Sequence, residues 1–183
     1  MLSYYFSDIN QGFTLVELLT SIAILVILLG LISPMALDEF KNMESKTIAT
    51  KIHSFLNNSK QLALVYQSPI TLCVANDNYE CVLTNGTQLI SFIDKNDNHR
   101  IDSPTETTQQ IQTLDNRFGE VAISVALNKS YIIMKPDSGR PIGYMGSIKY
   151  CPTDGDNKYK FKISFSKTGI IKLKKDSDEA TNC

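Results

Sequence analysis

Three groups of residues in this chain have the types and spacing that chemistry would need. The first is a single carboxylate, Glu17, near the head of the apolar stretch QGFTLVELLTSIAILVILLGLISP, residues 11–34. A carboxylate in a membrane helix costs up to ~2.5–3.5 kcal/mol at mid-bilayer and less near the end, so it is functional by default. In the first turn of a helix the positive end of the backbone dipole favours it. The plainer alternative is a side chain that snorkels to the interface. The second group is Asp94, Asn96, Asn98 and Asp102 in DKNDNHRID, with the alternate oxygen spacing of a calcium loop. His99, however, stands where such a loop turns on glycine, and Thr105 where it uses a bidentate glutamate. A solvated turn, with Asp and Asn capping their own backbone, is the simpler reading, and no metal is assigned.

The third group is cationic: Lys158, Lys160, Lys162, Lys167, Lys172, Lys174 and Lys175 crowd one C-terminal stretch. In YKFKISF, strand alternation puts Tyr159, Phe161, Ile163 and Phe165 on one face and Lys158, Lys160 and Lys162 on the other. In IIKLKK, Ile171 and Leu173 oppose Lys172 and Lys174. If Ser166–Gly169 is a turn, the two strands make a hairpin whose outer face carries five lysines. Such a face could neutralise DNA phosphates, although it lacks aromatics for stacking on single-stranded bases. A solvated sheet face is the bland alternative. Nothing points to an enzyme or a cofactor. The two histidines, His53 and His99, have no nucleophile or ligand pattern beside them, and no phosphate loop or nucleophile elbow is present.

The elements that must position these residues follow from composition and periodicity. The chain has 183 residues, a net charge of −1, 20% charged and 43% hydrophobic residues, which suits one domain with a real core. A pI near 6.1 argues against a uniformly basic nucleic-acid binder but allows a local patch. Leu18 to Leu37 carries no charge, and its length matches the ~20 residues a helix needs to cross hydrocarbon. The run is too long for a secretory signal, and no small-residue cleavage pattern follows it. We read it as a retained membrane helix. Beyond Pro34, where a kink is expected, Phe40, Met43, Ile48, Ile52, Phe55, Leu62 and Tyr66 recur at helical steps. One helix of ~80 Å from Phe13 to about Tyr66 is therefore expected, stopped by Pro69. Short strands follow: PITLCV, CVLTNGTQLISFID, EVAISVAL, SYIIMKP, GSIKYCP, KYKFKISFS and GIIKLKK. The polar segment Asp94–Gln110 reads as a long loop. Cys73, Cys81, Cys151 and Cys183 all lie after the membrane segment, so two disulfides are expected, with three connectivities open.

Gly12-Phe13-Thr14-Leu15-Val16-Glu17, followed by the apolar run and Pro34, resembles the processing site of type IV prepilins and related pseudopilins. The resemblance implies that a membrane peptidase cuts after Gly12 and N-methylates Phe13. It also implies that Glu17 of one subunit meets the Phe13 amine of a neighbour in a filament. One departure is that Met1–Gly12 has no Lys or Arg, whereas prepilin leaders usually carry positive charge. The later order, from PITLC through FIDKNDN and GSIKYCP to ISFSKTGIIK, is similar to the FimT/GspH branch of minor pilins and pseudopilins. That branch implies an α+β fold: a long N-terminal transmembrane helix packed on small antiparallel sheets. Residues 1–12 would be the leader, 13–37 the membrane or filament-core helix and 38–183 the outward domain, with helix over 38–66 and mainly strand over 70–183.

Within that picture Cys73 and Cys81 could close locally across VANDNYE, and Cys151 would then hold Cys183. DNA-uptake members of the FimT type bind DNA through a Gly-Arg-x-Arg stretch. Here Gly169-Ile170-Ile171-Lys172 stands in its place, and lysine lacks the bidentate fork of arginine. The expected function is that of a minor pilin priming assembly at a pilus tip. The alternatives are a DNA-binding minor pilin and a type II secretion pseudopilin. The expected partners are other minor pilins, the major pilin, prepilin peptidase, the inner membrane and, in the alternative, DNA. The expected location is the inner membrane, with one pass and a periplasmic domain, and then the pilus tip at the cell surface.

Overall fold

The computed structural model describes residues 13–101, 107–143, 145–155, 157–175 and 183. Gly12 and Asp102 lie outside them. The chain divides between Glu39 and Phe40 into two compact units.

The first unit is the start of helix α1 (Leu15–Tyr66). Thr14 caps it: its Oγ1 accepts the Glu17 N–H at 3.3 Å, and its carbonyl accepts the Leu18 N–H at 3.1 Å. Thr14 and Glu17 thus stand at the N-cap and N3 positions of a capping box. Side chains from Leu15 to Leu29 are exposed on every side of this unit. No single helix among the described residues is long and apolar enough to cross a membrane. Leu15–Gly30 and Met35–Tyr66 meet that test together, across a break at residues 31–34.

The second unit is built on the later part of α1. Its buried stripe is Ser45, Ile48, Ala49, Ile52, Phe55, Leu56, Ser59 and Ala63, the i, i+3, i+4 spacing of a helix against a core. Phe40, Met43 and Tyr66, expected on this face, are exposed instead. The stripe uses small residues, Ala49, Ser59 and Ala63, that let the sheets come close. The buried Ser59 hydroxyl donates back to the Phe55 carbonyl. The helix stops at Gln67, which has a left-handed φ of 49°.

Two four-stranded antiparallel sheets follow. The first has the order β3 (Thr107–Thr113), β2 (Gln88–Ile93), β1 (Ile70–Ala75), β5 (Tyr131–Met134). The second has the order β4 (Gly119–Val125), β6 (Gly146–Pro152), β7 (Phe161–Phe165), β8 (Ile171–Lys175). Ile70, Leu72, Val74 and Leu89 of the first sheet and Ile123, Ile148, Ile163 and Phe165 of the second share one core with Ile48, Ile52, Phe55 and Leu56. This is the expected α+β architecture, a long helix with small antiparallel sheets. The loop expected over Asp94–Gln110 is wrong in its last part: Thr107–Gln110 belongs to β3, with Ile111 opposite Ile90. β3 is a polar edge strand held by its main-chain ladder, so it has no apolar alternation to read.

The sheets are joined at two places. Gly86 and Val121 form an isolated bridge, and a Cβ on Gly86 would collide with Val74. The connector 114–118 is gripped by α1. Glu44 accepts the N–H groups of Arg117 and Phe118, both at 2.9 Å, and the Tyr150 hydroxyl at 2.8 Å. Lys51 donates to the Thr113 carbonyl and to Asp115, both at 2.8 Å.

Candidate functional site

Three places bear on function. At the head of α1, Phe13 is 72% exposed and Glu17 is exposed. Glu17 sits at N3, where the helix dipole favours an anion. Thr20 and Ser21 donate to its carbonyl rather than to its carboxylate.

The lysine face lies on the outward side of the second sheet. Its rows follow from register: Lys149 is opposite Lys162 and Lys162 opposite Lys174, while Ser124, Ser147, Ser164 and Lys172 form the next row. The hairpin turn is present. Gly169 takes a φ of 79°, its N–H donates to the Ser166 carbonyl at 2.9 Å, and Lys60 of α1 donates to the Gly169 carbonyl. A groove of about 650 Å³ runs along this side, with Lys162, Lys172 and Lys174 among the serines.

The five-lysine face is corrected in one member, Lys158. Lys158 lies in a 3-10 turn, Asn157–Tyr159, with its ammonium 4.8 Å from the Tyr159 ring centroid, and β7 begins only at Phe161, after Lys160. A chain in a 3-10 turn has a period near three, so strand alternation cannot be carried back through Tyr159. Lys149 was missed. Its signal was in GSIKYCP, where Ile148 and Tyr150 point inward and leave Lys149 outward.

In the third place, the loop after β2, Asn96 accepts the Asn98 N–H and Asn98 accepts the Arg100 N–H. These two oxygens of the calcium pattern are thus spent on their own backbone. Asp94 is buried at 4% side-chain exposure, and its Oδ2 accepts from the His99 backbone N–H at 2.8 Å and lies 3.0 Å from His99 Nδ1. Asp97 Oδ1 lies 3.9 Å from the same nitrogen. His99 has a φ of 61° and stacks on Tyr131, with ring centroids 3.7 Å apart.

Disulfides join Cys73 to Cys81 and Cys151 to Cys183. The first lies against the second face of the first sheet. The second ties the last residue to the lysine-bearing side of β6, since Cys151 follows Lys149 by two. Tyr150 and Asp115 are held away from their usual ranges. Burial, and then the hydrogen bond to Glu44, pushes the Tyr150 hydroxyl well above 10.0. The hydrogen bond from Lys51 holds Asp115 below 3.8.

Residues 9–33 match the family of the prokaryotic N-terminal methylation motif. No curated protein matches the sequence. Among solved structures the chain is similar to the type IV minor pilin FimU of Pseudomonas aeruginosa. The identity is 13%, the match covers 74% of this chain and 91% of that one, and the TM-score is 0.51. It is also similar to EpsH, the minor pseudopilin of the Type 2 Secretion System of Vibrio cholerae. There the identity is 12%, the coverage 74% and 99%, and the TM-score 0.48. At 13% identity the likeness to FimU is one of fold.

Proposed function

We propose that this chain, a type IV pilin-like protein by its methylation motif and its fold, is a minor pilin that primes filament assembly at a pilus tip. It acts by assembly and not by catalysis. The observation that carries this reading is the head of α1: a capped helix whose apolar side chains are exposed on all sides, with one carboxylate in its first turn. Burying a side chain such as leucine gains roughly 1.5–3 kcal/mol, so lipid or other subunits' helices should cover this surface. Cleavage after Gly12 frees the Phe13 amine one turn from Glu17. A desolvated carboxylate is costly without a partner, and the amine of a neighbouring subunit supplies one. That pairing sets the register of packing, while the folded unit beyond Glu39 meets neighbouring minor pilins.

The test is a strain whose only copy carries Glu17→Ala. Surface filaments should be lost or sharply reduced, and normal filaments would overturn the mechanism. Mass spectrometry of the mature chain should find N-methyl-Phe13 as the first residue; another start refutes the processing step.

A second reading is favoured by one specific observation, the Lys149–Lys162–Lys174 row beside Lys172. Here the subunit carries DNA on the filament during uptake. Deleting the gene and scoring pili, DNA uptake and protein secretion in the same cells separates these readings. Loss of pili supports assembly. Persistent pili with collapsed uptake support DNA binding, and lost secretion alone supports a pseudopilus.

A further inference from the structure

We propose that Asp94, Asp97 and His99 form a binding site for a divalent metal ion of the zinc class, outside the assembly helix and the lysine face. One oxygen from each carboxylate and one imidazole nitrogen lie within 4.8 Å of one another. The independent sign of a ligand is Asp94 itself. Its side chain is 96% buried, Oδ2 is taken by His99, and Oδ1 has no hydrogen-bond partner. A buried carboxylate oxygen without a donor is rare in native proteins and calls for a water or an ion.

The spacing suits the ion. Zinc bonds of about 2.0–2.1 Å to nitrogen and oxygen give a tetrahedron with edges of about 3.3 Å. His99 Nδ1 and Asp94 Oδ2 form a hydrogen bond of 3.0 Å whose proton an entering ion would displace, and that distance and the 3.9 Å from Nδ1 to Asp97 Oδ1 bracket the edge. The stack of His99 on Tyr131 fixes the imidazole plane, and Lys129 donates to the Tyr131 hydroxyl. An imidazole among the donors favours zinc, nickel or copper over calcium. The oxygens a calcium loop would need from Asn96 and Asn98 are turned to the backbone. Three protein ligands leave the fourth position to water. A bound ion would staple the segment from Asp94 to His99 over the second face of the first sheet, where Ile101 and Tyr131 pack against Cys73 and Phe92.

The test is calorimetric titration of Zn²⁺ into the full chain, purified in detergent and stripped with a chelator. One equivalent should bind, and the thermal midpoint should rise with Zn²⁺ as mass action requires. His99→Gln and Asp97→Asn should each weaken binding at least tenfold and abolish the thermal shift. Asp97 has a side chain 88% exposed, so its substitution tests the site without threatening the fold. Absence of Zn²⁺ binding at millimolar concentration overturns the proposal, as does binding unchanged in both variants. Ca²⁺ binding that exceeds that of Zn²⁺ and ignores His99→Gln also overturns it.

Discussion

The two sheets have the same strand count and the same antiparallel pairing, yet their outward faces differ completely. In the first sheet β1 is buried along its whole length and β2 nearly so. Its outward residues Cys73, Ala75, Ile90 and Phe92 form a second small core under Cys81, Ile101 and Tyr131. The second sheet alternates instead: Phe161, Ile163 and Phe165 are buried while Lys162 and Ser164 are half exposed between them. The middle of the first sheet, β1 and β2, is interior on both faces. The second keeps a solvated face with concentrated positive charge, so an anionic macromolecular partner of the sheets is to be sought there. The cover of the first sheet is made of loops, and loops need pins: the Cys73–Cys81 bond is one, and the Asp94–His99 contact is another.

The largest expected effect tests whether that second core is packed. Phe92→Ala should destabilise the chain by about 3–5 kcal/mol, the usual cost of emptying a fully buried phenylalanine site. Ser164→Ala, the corresponding outward change on the second sheet, should stay within about 0.5 kcal/mol. Denaturant unfolding of the two variants gives both numbers. If both changes are small, the first sheet is not closed on its outer side and the contrast between the sheets fails.

The same contrast explains what was legible in the sequence. The second sheet could be read because a sheet with one wet face must alternate, and Phe161, Lys162, Ile163, Ser164 and Phe165 do so. The α+β class was legible from the long apolar helix, the series of short strands and the resemblance carried by Gly12 to Glu17. β3 was not, because an edge strand of Thr and Gln has no apolar period. Phe40, Met43 and Tyr66 misled because helical spacing names a face without saying how far along the helix the core extends. The lysine face was misread at one end, where Lys158 lies in a 3-10 turn ahead of β7, and Lys149 was overlooked on a neighbouring strand. The pairing of Asp94 with His99 was illegible for another reason. It depends on a non-glycine residue at positive φ and on Tyr131, far along the chain, meeting the same ring.

A smaller effect concerns the way α1 holds the second sheet. Tyr150, on its inner face, donates to Glu44, and Tyr150→Phe should cost about 1.5–3 kcal/mol at neutral pH, as for a hydrogen bond to a charged group. The pH profile is more specific. An unfolded tyrosine ionises near 10.0, whereas Tyr150 in the fold holds its proton well beyond that. Above pH 10 the unfolded chain therefore releases a proton that the native chain keeps. The stability is whole below pH 10 and falls as pH rises, by up to about 1.4 kcal/mol per unit. Tyr150→Phe should flatten that alkaline limb by the contribution of one proton. A limb with the same slope in the variant would mean that the Tyr150 hydroxyl is not held against ionisation, and that Glu44 serves only the connector.

The smallest effect concerns the connector between the two sheets. The hydrogen bond from Lys51, and then its charge, hold Asp115 below its usual 3.8. A carboxylate with a depressed folded value contributes stability above its unfolded value and loses it as pH falls through the folded one. The loss should therefore appear below pH 3.8, and screening by salt should weaken it because the carboxylate is exposed. Asp115→Asn should remove this acid limb and leave neutral stability nearly unchanged, since Lys51 keeps the Thr113 carbonyl. Lys51→Gln should remove the same limb and also lower neutral stability, because the Thr113 contact goes with it. Acid unfolding of the three proteins at low and high salt separates these outcomes. If Asp115→Asn retains the acid limb of the parent, the ion pair does not hold the connector. Its attachment to α1 then rests on the Arg117 and Phe118 N–H groups at Glu44, and the two sheets are joined there through one helix carboxylate rather than two helix side chains.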